Sequence, residues 1–148
     1  MPDFASHLKL VNHNHELLKY LLPRIEEFPD WVATVAFYKA VHLVELVFVT
    51  DQSIQHTDSH ESRNRALKKN RRYEHIYRHY RILYTMSQKA RYMEDKVTCF
   101  SDHCPPARVE AELLRNHLHQ VEESCIRLVG PELVFSRVSD LFHAANEE

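Results

Sequence analysis

The sequence predicts an all-α fold, an up-and-down antiparallel bundle of four long helices with one or two short extra helices. The chain has one glycine and six prolines in 148 residues, so it lacks the turn residues that a hairpin-rich sheet needs. Apolar residues instead recur at steps of three, four and seven, the periodicity of a helix that packs one face into a core. Because a chain of this length can bury a sizeable core, we expect residues 1–148 to form a single helical domain.

The first two predicted helices differ in how much of their surface is apolar. The first ends near Pro23, and its single apolar stripe consists of Phe4, Leu8, Val11, Leu18 and Leu22. The second, from Trp31 to about Val49, is apolar nearly all round, which is typical of a central helix. Asp30 is its predicted N-cap. Since Lys39, His42 and Glu45 interrupt this run where a membrane would make charge costly, we expect a buried core helix and no membrane association.

The third and fourth predicted helices are more polar. Asp58 with Glu61 three residues later resembles a capping box and predicts a short third helix. The fourth helix, from about Arg71 to Met93, combines a basic face with an apolar stripe. That stripe consists of Tyr73, Ile76, Tyr77, Tyr80, Leu83 and Tyr84. We interpret it as core, and a base-stacking platform is the alternative.

A fifth long helix and a short terminal helix complete the predicted fold. Pro105 and Pro106 open the fifth helix, and Gly130 with Pro131 ends it. Its apolar positions are Leu114, Leu118, Val121, Cys125 and Leu128. The terminal helix is predicted from Phe135, Val138, Leu141 and Phe142, which repeat at helical spacing.

Charge is distributed very unevenly along the chain. From Arg63 to Arg91 there are ten Lys or Arg and one acid, Glu74, so this segment carries about +9 and the remainder about −11. One interpretation is a solvated face partly neutralised by acidic neighbours. The other is a surface that attracts phosphate, although no glycine-rich phosphate loop is present in the sequence. The ligand-binding residues would then be Tyr38, Arg71, Arg78, Arg81 and Arg91.

Polar residues on the apolar second helix form the strongest candidate site. His42 and Glu45 are three residues apart and therefore neighbours on the helix surface. A buried imidazole and a buried carboxylate each need a partner, and the segment that follows supplies His60, Arg63 and Asn64. We expect Arg63 to offer a planar fork to Glu45. Two interpretations stay open: a network that only holds the loop, or a ligand-binding or catalytic pocket.

Histidines and cysteines suggest neither a metal nor a disulfide. His75 and His79 are four residues apart on one helix face, but two ligands are only half of a four-ligand metal site. We expect these histidines at the boundary between core and solvent. The same applies to the loop that contains Cys99, His103 and Cys104. We therefore expect no metal and no cofactor. An odd number of cysteines, three, predicts reduced thiols. The start of the chain does not resemble a signal peptide, which favours a cytoplasmic protein.

Three segments together resemble small bacterial HEPN-like proteins (higher eukaryotes and prokaryotes nucleotide-binding). They are residues 37–45 (Phe-Tyr-Lys-Ala-Val-His-Leu-Val-Glu), residues 60–64 (His-Glu-Ser-Arg-Asn) and residues 90–92 (Ala-Arg-Tyr). The resemblance covers about residues 30–129. It implies an up-and-down helical bundle, often a homodimer, in a superfamily that contains metal-independent ribonucleases, RNA-binding proteins without enzymatic activity and toxin components. It thus also implies a possible partner protein.

The ribonuclease motif of that superfamily is incomplete in this sequence. In those enzymes an arginine, usually followed by a polar residue, precedes a histidine with four to six residues between them. Arg63 is followed by Asn64, but no histidine lies in that window. Arg72 and His79 have the spacing without the polar companion, because Tyr73 stands there. In a further near match, Arg115 and Asn116 are followed by a histidine, His119, one residue too early.

The resemblance therefore implies a binding or regulatory module for nucleic acid or another phosphate-bearing ligand such as RNA. The alternative is a metal-independent ribonuclease of toxin or defence type that uses a His/Arg pair, with histidine as general acid or base and arginine stabilising the developing charge. The candidate catalytic residues are then His42, Glu45, His60, Arg63 and Asn64. Arg72 and His79 are the alternative pair.

Overall fold

Helices make up the regular structure of this chain. The computed structural model describes residues 3–55, 57–92 and 99–143, and in these ranges it contains helices and no strand. This confirms the all-α prediction. Helix α1 spans Phe4–Leu21 and continues into a 3₁₀ turn, Leu22–Arg24. The Asp3 carboxylate caps it by accepting a hydrogen bond from the Ser6 N–H at 2.8 Å.

Helix α2, Pro29–Val49, is the centre of the fold. It packs mainly against α1 and against a later helix, Glu74–Arg91. Its length and composition would allow it to cross a membrane, and 83% of its most apolar stretch is buried inside the protein. The predicted N-cap was wrong: α2 begins at Pro29, and Asp30 lies in its first turn. A proline suits the first helical position because its φ is already helical and its missing N–H is not needed there.

Helix α3, His60–Lys69, begins at a different capping box from the predicted one. Ser59 and Ser62, rather than Asp58 and Glu61, exchange the two side-chain to backbone bonds. A serine hydroxyl is short and can both donate and accept, so it can serve at either position of the box.

A 3₁₀ turn, Arg71–Tyr73, leads into helix α4, Glu74–Arg91; the predicted end at Met93 falls outside the described residues. The predicted core face of α4 is confirmed for four positions and is partly exposed at two. Tyr73, Ile76, Tyr80 and Leu83 are buried, and Tyr77 and Tyr84 lie at the edge of the core.

The last long helical stretch contains an unexpected backbone form. After a short helix α5, Phe100–His103, helix α6 covers Pro106–Arg108, and the chain then runs as a π-helix through Val109–Leu118 into helix α7, His119–Val129. Gly130 ends this stretch with φ of 105°, a conformation that favours glycine.

The C-terminal segment packs on the core largely without helix. Helix α8 covers only Asp140–His143, so the prediction of one helix carrying Phe135 and Val138 was wrong, although both side chains are buried. Side chains from other elements bind its backbone instead. Asn12 accepts from the Ser136 N–H at 3.0 Å, and Glu122 accepts from the Val138 N–H at 2.9 Å. These bonds satisfy backbone groups that a helix would otherwise have to pair.

Candidate functional site

A buried ion pair joins α2 to α3, as the sequence predicts. The Nε atom of Arg63 donates to Oε1 of Glu45 at 2.7 Å, and both side chains are less than a tenth exposed. The hydroxyl of Thr57 donates to the same oxygen at 2.6 Å. The contact is confirmed, but the predicted two-pronged fork was wrong. Of the Arg63 nitrogens, Nε alone bonds to this carboxylate, and one terminal nitrogen bonds to a residue of α3.

That terminal nitrogen holds His60. The Nη1 atom of Arg63 donates to Nδ1 of His60 at 3.1 Å, across one turn of α3. His60 is the first residue of α3, where the Ser59 cap fixes its position. Three aromatic rings surround the partly exposed imidazole. Their centroids lie 5.4 Å (Phe37), 5.8 Å (Tyr84) and 6.2 Å (Tyr38) from that of His60.

A second guanidinium, that of Arg91 at the end of α4, lies against two of these rings, Phe37 and Tyr38. Its Nη1 donates to the hydroxyl of Tyr38 at 2.7 Å, and its carbon Cζ is 5.3 Å from the centre of that ring. Two weaker bonds go to Ser87. Contacts with the described residues thus use three of the five N–H groups of this arginine and leave two. Among the described residues, no carboxylate lies within ion-pair distance of Arg91.

These groups form one electrostatic unit, which we call the His60 site: Tyr38, Glu45, His60, Arg63 and Arg91. The pKa of His60 is lowered, first by burial and then by the positive charges of Arg63 and Arg91. The imidazole is therefore neutral at neutral pH, since its ordinary pKa of 6.5 is already below 7. With one carboxylate and two guanidinium groups, the unit carries a net charge of about +1.

His42 and Asn64 border the His60 site without direct hydrogen bonds to it. The Nδ1 atom of His42 lies 3.1 Å from Nδ1 of His7 on α1, a partner that sequence reasoning missed. Burial, followed by the effects of His7 and Arg63, lowers the pKa of His42 to about 4. Asn64 lies one turn after His60, and its buried Oδ1 has no hydrogen-bond partner in the described part of the chain.

The structure brings together two of the five predicted ligand-binding residues. Tyr38 and Arg91 are in direct contact, whereas Arg71, Arg78 and Arg81 lie exposed on the surface. Of these three arginines, Arg81 is nearest to the His60 site along α4, because it lies one helical turn before Tyr84, one of the rings around His60. The basic segment is thus a surface next to the His60 site rather than part of it.

The alternative pair of Arg72 and His79 is not brought together. The guanidinium of Arg72 stacks on Tyr73, 5.9 Å from its ring centre. His79 instead bonds to His117 of the π-helix, with 3.0 Å between their Nδ1 atoms, and its ring lies 5.0 Å from that of His75. His75 and His79 are partly exposed, which confirms their predicted place at the core boundary. Within the described ranges, no group of three or more potential ligands is arranged to hold a metal ion.

A second buried ion pair was missed by sequence reasoning. Lys39 and Glu122 are fully buried, and their Nζ and Oε2 atoms are 2.7 Å apart. Lys39 also contacts Nδ1 of His15 at 2.9 Å and donates to the carbonyl of Ser136 at 2.7 Å. Arg137 adds a longer contact to Glu122, at 3.5 Å. We call these five residues the Lys39 cluster. A lysine in an apolar helix signals a buried partner, but nothing in the sequence shows which of the 21 acids it is.

Comparisons with known proteins do not identify this architecture: no family model matches the chain, and searches of curated proteins and of solved structures give no significant match. What the fold and the site define is a class, an all-helical protein with a partly open arginine–histidine cluster. The HEPN-like resemblance stays a hypothesis that depends on three short segments. All five residues of the His60 site lie in these three segments.

Proposed function

We propose that this chain is a binding module for nucleic acid or another phosphate-bearing ligand, and that the His60 site receives a phosphate group. One observation supports this most directly: a partly exposed, neutral histidine accepts a hydrogen bond from one guanidinium and is within the electrostatic reach of a second, and among the described residues one carboxylate balances the two charges. An anion would neutralise the remaining charge. Guanidinium groups suit phosphate because their planar N–H groups match pairs of phosphate oxygens.

The basic surface beside the site supports the same function. From Arg63 to Arg91 the chain carries about +9, and most of these side chains are exposed. Such a field raises the local concentration of polyanions and steers them to the surface. A single-stranded RNA fits both features, since one phosphate can occupy the His60 site while its neighbours contact the basic face.

The HEPN-like four-helix bundle belongs to the same proposal. Its support is the presence of four long helical stretches: α1, α2, α4 and residues 106–129. The members of that superfamily that bind RNA without cutting it would be the nearest functional type. Homodimer formation and a partner protein are part of the resemblance and stay predictions.

The sharpest test of the proposed function removes Arg91. Fluorescence anisotropy with a labelled single-stranded RNA should show affinity about tenfold lower for Arg91→Gln, because a charge-assisted hydrogen bond contributes about 1.5–3 kcal/mol. Arg127→Gln is the matched control, since Arg127 is an exposed arginine on α7 outside the basic segment. Equal affinities for both variants and the parent chain would exclude the His60 site as the phosphate site.

The ribonuclease alternative is separated by a second measurement. The purified chain is incubated with mixed RNA in the presence of a chelator, and the RNA is examined for shifted mobility and for cleavage. The proposed module shifts the RNA without shortening it. Cleavage that disappears in His60→Ala would contradict the module and establish the enzyme.

A further inference from the structure

The bond between Arg63 and His60 determines where the proton of the imidazole lies. A guanidinium has N–H donors and no acceptor. Nδ1 of His60, 3.1 Å from Nη1 of Arg63, must therefore be the acceptor. A neutral imidazole with a lone pair on Nδ1 carries its hydrogen on Nε2. The side of the ring that does not face Arg63 is thus a hydrogen-bond donor.

Arg63 cannot easily turn away from His60. Its Nε donates to Oε1 of Glu45, and the hydroxyl of Thr57 donates to the same oxygen and helps to fix the carboxylate. Both side chains of the ion pair are buried, so releasing Arg63 would leave an uncompensated charge in the core. The three rings around His60 also restrict rotation of the imidazole. Glu45 and Arg63 are therefore positioning residues for His60.

Protonation of His60 is opposed by its surroundings. A protonated ring would direct its Nδ1–H against an N–H of Arg63, and the positive charge of Arg91 acts on it from α4. The titratable or charged groups around it are Tyr38 and Glu45 from α2, Arg63 from α3, and Tyr84 and Arg91 from α4. Glu45 is the one carboxylate among these groups, and Arg63 lies between it and the imidazole.

The hydroxyl of Tyr38 is a second donor with a fixed role. Its oxygen accepts from Nη1 of Arg91 at 2.7 Å, so its own hydrogen is directed elsewhere and is available to a ligand. Arg91 contributes two further N–H groups. Three neighbouring residues from α2, α3 and α4 therefore offer donors, which is the chemistry that recognises the oxygens of a phosphate group and rejects amines.

We propose that His60 binds a ligand phosphate through Nε2–H as a neutral donor and does not act as a general base. This inference depends on the proposed function for the identity of the ligand. A ring whose Nε2 carries hydrogen has no lone pair to offer on that side, so it cannot take a proton from a ribose hydroxyl. The His60 site is therefore built to hold a phosphate ester and leave it intact.

The tautomer is measured directly by NMR. Long-range ¹H–¹⁵N spectra of the full chain labelled with ¹⁵N-histidine distinguish the Nε2–H, Nδ1–H and protonated forms, and His60→Gln assigns the signals. At neutral pH we expect His60 in the Nε2–H form, with and without RNA. An Nδ1–H tautomer or a charged ring would overturn the proposal.

The donor role is tested by three binding curves with the same single-stranded RNA. His60→Ala should lower affinity about tenfold, the cost of one hydrogen bond to a charged group. His60→Gln should restore most of it, because its amide N–H can replace Nε2–H. Equal weakness of the two variants overturns the donor role. If the parent chain binds no RNA, the proposed function and the ligand role fail together, while NMR still decides the tautomer.

Discussion

The Lys39 cluster and the His60 site are alike in composition and different in exposure. Both contain a buried cation–carboxylate pair with one member on α2, and both include a histidine beside the cation. In the Lys39 cluster the paired cation and carboxylate are fully buried, and their remaining contacts go to α1 and the C-terminal segment. In the His60 site the chain of contacts continues outward to the partly exposed His60 and Arg91.

This difference separates a structural network from a candidate binding site. The contacts of Lys39 and Glu122 bind the backbone of residues 136–138 to the core, and both of these side chains are 0% exposed. The partly exposed guanidinium of Arg91 keeps two N–H donors that the described part of the chain does not use. Sequence composition alone would not distinguish the two, because the residue types are nearly the same.

The largest expected effect on stability comes from breaking the buried ion pair of Lys39 and Glu122. Glu122→Gln should lower the free energy of unfolding by about 3–5 kcal/mol, because Lys39 then stays buried without a compensating charge. Denaturant titration followed by circular dichroism measures this loss. The double variant Lys39→Met, Glu122→Leu should recover much of it, since an apolar pair leaves no buried charge. A single variant as stable as the parent chain would show that the pair does not hold the C-terminal segment.

A smaller loss of stability is expected at the His60 site. Glu45→Gln should lower the free energy of unfolding by about 1–3 kcal/mol, the cost of a disrupted buried hydrogen-bond network. The glutamine oxygen can still accept from Arg63, which limits the loss. Glu61→Gln is the control, because Glu61 forms an exposed pair with Arg65 on the same helix α3 and should cost no more than about 0.5 kcal/mol. Equal melting curves for the two variants would contradict the buried network.

His15, the histidine of the Lys39 cluster, makes the stability of the fold depend on pH. Burial, and then the charge of Lys39, lowers the pKa of His15 from 6.5 to about 4. Between these values the unfolded chain binds more protons than the folded chain, so the free energy of unfolding decreases as pH falls. Its full contribution is present above pH 6.5. His15→Asn keeps an acceptor for Lys39 and should flatten this slope, whereas His13→Asn, an exposed position on α1, should leave it unchanged.

The sequence predicted contacts well where a buried group had a near partner. Glu45 on an apolar helix needed a cation, and the next polar segment supplied Arg63. Lys39 posed the same problem, but its partner Glu122 lies on a helix whose apolar stripe says nothing about which acid turns inward. The bond between Tyr38 and Arg91 spans 53 positions and depends equally on how helices pack.

Backbone detail was the other limit of sequence reasoning. The π-helix at Val109–Leu118 has buried residues at Val109, Leu113, Leu114 and Leu118, and their separations of four and five residues also fit the buried stripe of an ordinary α-helix. The start of α3 shows the same limit, because Asp58 and Ser59 are both good capping residues. Only the hydrogen bonds of the folded chain distinguish such alternatives.

The smallest effect on stability, and the most informative for binding, is expected on the exposed face. Replacing Arg71, Arg78 and Arg81 together by glutamine should change the free energy of unfolding by less than about 0.5 kcal/mol, because all three are exposed. RNA affinity should nevertheless decrease and depend less on salt, since each lost phosphate contact lowers the slope of log affinity against log salt by about 0.7. Anisotropy titrations at several salt concentrations measure the slope. If the triple variant keeps the parent slope, the basic segment is a solvated face, and phosphate recognition is confined to the His60 site.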